Sequence, residues 1–260
     1  GVPFHSYENY VARLIAKGYK VAICEQMEDP ALAKGLVKRD IIRVVTPGTV
    51  IESSMLQDDK NNYIASIYIT EKKAGVCFAD VSTGTAHATV LTGEKLGPEI
   101  ISELCRYSPS EVLFNAAILD YKEVTAYIKQ QLACSVELLD EAAFAPDACM
   151  EEMRAQFGDA PEKTAGLAPE SPAFTALAVL LGYLKETQKK GVERLKTVHN
   201  YAEAQYMQLS PVTRANLELT ETMRGREKKG TLLWVLDKTE TSMGKRQLRA
   251  WIEQPLVDSS

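Results

Sequence analysis

At 260 residues, 45% of them hydrophobic, the chain is long enough for two domains, or for one whole domain flanked by parts of others, and it has the apolar content for a real core. A formal net charge of −5 argues against a strongly basic nucleic-acid module, and no run approaches the roughly 20 apolar residues needed to cross a bilayer, so the composition reads as a soluble globular polypeptide without a membrane segment. The charge is uneven: residues 1–50 carry seven Lys/Arg against five Asp/Glu, net +2, which leaves −7 for the remainder and makes any DNA contact local. Five cysteines (Cys24, Cys77, Cys105, Cys134, Cys149) form no C-x-x-C pair and sit mostly in apolar runs, the pattern of reduced core thiols in a cytoplasmic protein. His5, His87 and His199 are far apart and make no ligand cluster, so no metal is expected. The chain starts at Gly1 with neither an initiator Met nor a signal-like stretch, and an internal piece of a longer protein is the simpler reading.

In chain order, Ser6 can cap a helix whose apolar positions Tyr7, Tyr10, Val11, Leu14 and Ile15 share one face, with Gly18 at its stop. Tyr19 to Cys24 reads as a short strand, Pro30 to Gly35 as a loop or turn, and Ile41 to Val45 as a second strand ending at Pro47-Gly48. This is an incomplete α/β unit, in which Tyr7 and Leu14 are expected to lack partners. The polar run 51–62 is a linker. Three strand signals follow, at Tyr63 to Thr70, Gly75 to Val81 and Thr85 to Leu91, and predict an antiparallel meander. After it come a helix from Pro98, a strand at Glu111 to Phe114, a helix opened by Asp120 and Glu123 as a capping box, and a strand from Cys134. The order βββαβαβ, with a further helix near Cys149 to Phe157, predicts a mixed sheet with helices packed on it.

Four of the eleven prolines fall between Ala145 and Pro172, which marks a second linker. A broad apolar helix from Ser171-Pro172 to about Lys189 then opens a helical domain, and Val212 to Thr222, Leu232 to Asp237 and a stretch from Ser242 toward Pro255 read as further helices. In the last of these Leu248, Trp251 and Ile252 recur at helical spacing while Lys245, Arg246 and Arg249 share the opposite, solvated face; Trp234 and Trp251 read as core anchors.

Catalytic signals are weak. The run GREKKGT (Gly225 to Thr231) almost spells the phosphate loop G-x-x-x-x-G-K-[ST] but lacks the lysine that neutralises the β- and γ-phosphates. A two-metal nuclease site needs clustered carboxylates, and the first meander strand contains no acid, leaving Asp80 beside a Ser-Thr-Gly turn as a turn former. No catalytic residue is therefore assigned. His5, just before a helix N-terminus, and Lys38-Arg39, just before a strand, are the candidate DNA-backbone contacts, each equally readable as a solvated basic tip.

Three stretches carry a resemblance. LELTETMRGREKKGTLLWVLDKTETSMGKRQLRAWIEQPL (Leu217 to Leu256) resembles the core domain of the MutS family of DNA mismatch repair proteins; GVPFHSYENYVARLIAKGYKVAICEQ with VKRDIIRVVTPGTV resembles the second half of that family's mismatch-binding domain, and GVCFADVSTG (Gly75 to Gly84) its connector domain. The resemblance implies α/β plus all-α architecture: the end of a mismatch-binding domain at 1–52, a ribonuclease H-like connector domain at 53–165 and the start of a helical core domain at 166–260. It implies a homodimeric parent that senses mismatched duplex DNA, uses ATP and Mg, and recruits MutL through the connector. His5, Lys38 and Arg39 then resemble phosphate contacts, whereas the family's Phe-x-Glu reading motif precedes the glycine that is first here. Two function classes stay open, a DNA-binding piece and a protein-interaction adaptor, with the −7 remainder favouring the adaptor for the connector. A ribonuclease H-like nuclease is the discarded rival.

Overall fold

The computed structural model describes residues 2–29, 35–52, 54–132, 134–189, 191–201, 205–207 and 209–258. The expected loop at Pro30 to Gly35 lies, up to residue 34, outside them.

Helix α1 (Tyr7–Ile15) leads through Gly18, held at φ 80°, into the antiparallel hairpin of β1 (Val21–Gln26) and β2 (Arg39–Val45). Only Val11 of α1 is buried; Tyr7 and Ile15 pack beside it on Val45 and Val50, while Tyr10 and Leu14 lie on the outside. Ser6 does not cap the helix. Its hydroxyl donates to the Pro3 carbonyl instead, 3.1 Å away, so the helix opens without a side-chain acceptor.

A six-stranded sheet, β7-β6-β3-β4-β5-β8, forms the body. Strands β3 (Tyr63–Ile69), β4 (Ala74–Asp80) and β5 (Thr85–Leu91) make the antiparallel meander, and β6 (Glu111–Phe114) and β7 (Ser135–Leu138) add parallel to β3. Parallel neighbours need a crossover. Helix α2 (Leu96–Tyr107) lies on the connection that carries the chain from β5 past β4 and β3 to set β6 beside β3, and α3 (Lys122–Tyr127), extended by a π turn through Leu132, supplies the crossover between β6 and β7. The strand period of two sends Ala65, Ile67, Val76 and Phe78 to the α2/α3 face, and Ile64, Cys77 and Ala79 to the other. Both faces are covered, which is why all of β4 and β6 is buried.

The second face is covered by α4 (Pro146–Phe157), α5 (Pro161–Ala165) and α6 (Pro172–Gln188). Three of the four prolines read as a linker are helix starts, since each of these helices carries Pro at its first position, where no amide donor is needed, and Pro169 lies in a turn. Helix α6, which follows the expected start of a helical domain at 166, packs on the sheet. Phe174, Leu177, Ala178, Leu180, Leu181 and Leu184 surround that helix with apolar surface, and the sheet on one side and α4 on the other bury it. Its first turn passes so close to β4 that a Cβ on Gly75 would lie 1.9 Å from the Pro172 carbonyl oxygen. The chain then returns to the sheet as β8 (Thr197–Asn200), parallel to β5, a strand that the sequence did not announce.

Three short helices follow: α7 (Pro211–Asn216), α8 (Leu232–Leu236) and α9 (Ser242–Glu253), capped by Ser210, Thr231 and Thr241. The cap of α9 is thus one residue earlier than Ser242. Asp120 and Glu123 form no capping box either, since Asp120 ends a 3₁₀ turn and Tyr121 occupies the cap position. After α9 the chain turns back on the stretch that follows β8, with Tyr206 bridging Leu256 and the Met207 amide donating to the Pro255 carbonyl at 2.8 Å. Among the described residues no helix is long and apolar enough to cross a membrane.

Candidate functional site

Lys38 and Arg39 stand together at the loop-connected end of the β1–β2 hairpin, where Gln26 pairs with Arg39. Arg39 faces Gln26 across the ladder; the Lys38 amide donates to Glu28 Oε1 at 2.6 Å and its carbonyl accepts from the Met27 amide at 2.9 Å. Both side chains are exposed. They are not alone: Glu25, Glu28 and Asp40 share the same end, so the local field is mixed, and a phosphate there meets carboxylates as well as cations. His5, also exposed, lies in the 3₁₀ turn Phe4–Ser6 that precedes α1. Tyr7, two residues on, packs with Val11 and Ile15 against Val21, Ile23 and Val45, so α1 lies on the hairpin.

The basic face expected on α9 is not formed as such. Arg249 is buried, with Glu253 at 3.0 Å and with Asp59 and Glu221 each at 3.8 Å, because α9 lays that residue against the polar linker 55–61 and the turn before α8. Lys245 and Arg246 are half-buried. Trp234 and Trp251, read as core anchors, are 49% and 65% exposed. In the GREKKGT run the polar groups are engaged locally: Lys228 reaches Asp237 at 2.7 Å, and Thr231 Oγ1 accepts from the Trp234 amide at 3.2 Å. Asp237 is held well below the usual carboxylate range, first by the hydrogen bond from Lys228 and then by that from Thr239.

Asp80 closes its own turn, accepting from the Ser82 amide at 2.8 Å and the Ser82 hydroxyl at 2.6 Å, as a turn former should. Among the described residues no three His, Cys, Asp or Glu side chains are placed to hold a metal ion. Three thiols are poor nucleophiles, since burial pushes Cys134 and Cys149 up to about 11 and Cys77 higher still, whereas Cys24, read as a core thiol, is exposed.

What the sequence did not reveal is a polar junction between hairpin and body. Glu111, fully buried at the head of β6, accepts from Thr46 Oγ1, from the Gly48 amide at 3.1 Å and from the Tyr183 hydroxyl at 2.6 Å. Burial first, then the Glu111 carboxylate, push the Tyr183 hydroxyl far up, which keeps it a proton donor. Beside it, Arg43 donates to Gln188 Oε1 at 2.7 Å and to the Thr49 carbonyl at 3.0 Å, and Gln188 donates to the Val44 carbonyl at 3.0 Å. The only available signal was an acid opening an otherwise apolar strand, EVLF.

A helix-backed hairpin with a mixed-charge end, a two-faced mixed sheet and a run of short helices define a modular α/β and helical chain whose units are joined by buried polar contacts. Residues 1–54 match the family model for MutS domain I, residues 62–198 that for MutS domain II and residues 212–260 that for MutS domain III. The chain is 46% identical over 258 residues to the DNA mismatch repair protein MutS of Ruminiclostridium cellulolyticum, covering 99% of this chain and 29% of that protein. It is 45% identical over 262 residues to the MutS of Acetivibrio thermocellus (99% and 29%) and 40% identical over 271 residues to that of Clostridioides difficile (100% and 26%). The chain belongs to the MutS family of DNA mismatch repair proteins. It spans under a third of the length of these relatives.

Proposed function

We propose that the chain supplies the adaptor part of a mismatch-sensing protein: a body that docks the MutL partner, attached to a hairpin that touches the DNA backbone through Lys38, Arg39 and His5. In this reading the base-reading motif and the ATP and Mg site belong to other parts of a homodimeric, cytoplasmic parent, and the chain itself performs no catalysis. The meander β3–β5 followed by parallel β6 and β7 supports a ribonuclease H-like connector, and the packing of α6 and β8 onto that sheet extends the connector to about residue 200.

One observation carries the adaptor reading. The stretch that includes the whole six-stranded body bears the −7 share of the net charge, which repels phosphate and leaves protein partners as the ligands it suits. The nuclease rival has little to work with, because β3 contains no acid and Asp80 is engaged in its own turn. A magnesium titration followed by NMR tests that rival, and shifts gathered around Asp80 would revive it. The adaptor reading itself is tested by a pull-down of the chain with cognate MutL. Retention at moderate salt is expected, and loss of retention when the body's surface charges are reversed; no retention under any condition contradicts the reading.

A further inference from the structure

We propose that the Glu111 carboxylate is a clamp that fixes the β1–β2 hairpin onto the six-stranded body, so that the hairpin end bearing Lys38 and Arg39 is held in one orientation relative to the sheet. The inference does not rest on the MutL reading. Its basis is where the three donors come from. Thr46 and Gly48 belong to the turn that leaves β2, and Tyr183 belongs to α6, so one carboxylate on β6 joins two distant parts of the chain through three donors that are 63 to 72 residues away from it in sequence.

The turn is shaped for this approach. Thr49 Oγ1 accepts from the Thr46 amide at 2.9 Å, which closes the turn on itself, and a Cβ added to Gly48 would come within 2.8 Å of both Glu111 Cβ and Ile64 Cβ. Glycine is needed there because of close approach, not because of an unusual backbone angle. The turn is further held by Asn62, whose amide donates to the Pro47 carbonyl at 3.0 Å. Hydrogen bonds to a buried charged acceptor are among the stronger ones, and removing the acceptor leaves buried donors without a partner. The Arg43–Gln188 contacts and the half-exposed Lys20–Glu137 pair flank the clamp, and they lie nearer solvent.

Hydrogen exchange of the full chain, read peptide by peptide, tests the clamp. Glu111→Gln keeps the side-chain volume but turns an N–H₂ toward groups that donate, and it should speed exchange across residues 44–50 by about tenfold while β3 and β4 keep the protection of the unaltered chain. Lys20→Ala, which removes the half-exposed pair, should leave residues 44–50 as they were. Unchanged exchange at 44–50 in Glu111→Gln would overturn the proposal. So would an equal loss of protection at 44–50 and in β3 and β4, since Glu111 would then support the body as a whole. If Glu111→Gln does not fold, Tyr183→Phe removes one donor and leaves the carboxylate in place: faster exchange confined to 44–50 supports the clamp, and no change or a general change contradicts it.

Discussion

The six-stranded body and the helical stretch 206–258 carry comparable apolar patterns in sequence, yet only the first converts them into a core. In the body the apolar faces of the central strands meet helices, with Phe78 and Phe114 packed under α2 and α3 and Phe174 of α6 packed in the core on the other face, and only the edge strand β7 leaves Val136 and Leu138 exposed among the described strand residues β3–β7. In the helical stretch Leu233 is buried, whereas Val235, Met243 and Trp251 are exposed and the buried residue of α9 is an arginine. The lesson is physical. Helical periodicity reports which side of a helix wants cover, and says nothing of whether that cover is present among the residues at hand.

The largest effect that tests this contrast is a pair of truncations. Phe114→Ala or Phe174→Ala should cost roughly 3–5 kcal/mol, through lost burial plus the cavity left behind, whereas Trp251→Ala should cost under about 1 kcal/mol. Urea midpoints with unchanged m-values provide the comparison, and equal losses would erase it.

Buried charge offers a second test. Arg106 is buried with Glu103 at 2.9 Å and lies over the ring of Tyr206, 4.9 Å away, while Tyr201 donates to the same carboxylate. Arg106→Ala leaves that carboxylate without its cation and should destabilise by about 3–5 kcal/mol. Arg249, whose partners Asp59 and Glu221 are nearer solvent, should matter less when replaced by Ala, by about 1–2 kcal/mol. A reversed order would mean that the helical stretch, not the body, depends on its ion pairs.

His87 gives the body a pH dependence of its own. On β5, stacked on His199 at 5.2 Å and tilted against Tyr107 at 5.5 Å, it is lowered to about 4 by burial first and by His199 second. With its folded value below the unfolded one of about 6.5, the unfolded chain takes up the proton first. His87 therefore contributes nothing adverse above about pH 6.5, and stability falls as pH drops from there toward about 4, by up to about 3 kcal/mol. His87→Gln should flatten that part of the curve, as read from denaturant midpoints across the window; a wild-type slope surviving in the variant would reject the assignment.

Much of the body was legible because strand alternation and helix periodicity are local. The meander, helices α2 and α3, and strands β6 and β7 all follow from it. Strand β8 was not, since TVHN offers one apolar residue and owes its place to pairing with β5. Nor was the home of α6, an all-round apolar helix that fits a bundle as readily as a sheet. Glu111 was invisible for a related reason: an acid at a strand head usually meets water, and only the return of the 46–49 turn and of α6 encloses this one. Of the candidate DNA contacts, Lys38 and Arg39 are neighbours in sequence, but spacing could not foresee Glu25, Glu28 and Asp40 beside them.

Whether the chain keeps a docking body and a backbone contact without reading bases is tested most directly by fluorescence anisotropy, with the full chain titrated onto a perfectly paired duplex and onto one carrying a G·T mismatch at two salt concentrations. With about two phosphates engaged, log affinity should fall by roughly 0.9 per contact for each decade of salt, starting from dissociation constants near the weak end of about 10⁻⁴ to 10⁻⁶ M, and Arg39→Ala should remove about one contact from that slope. The two duplexes should bind alike. A preference of about tenfold for the mismatch, roughly 1.4 kcal/mol, would require a base-reading residue within this chain and would contradict the account.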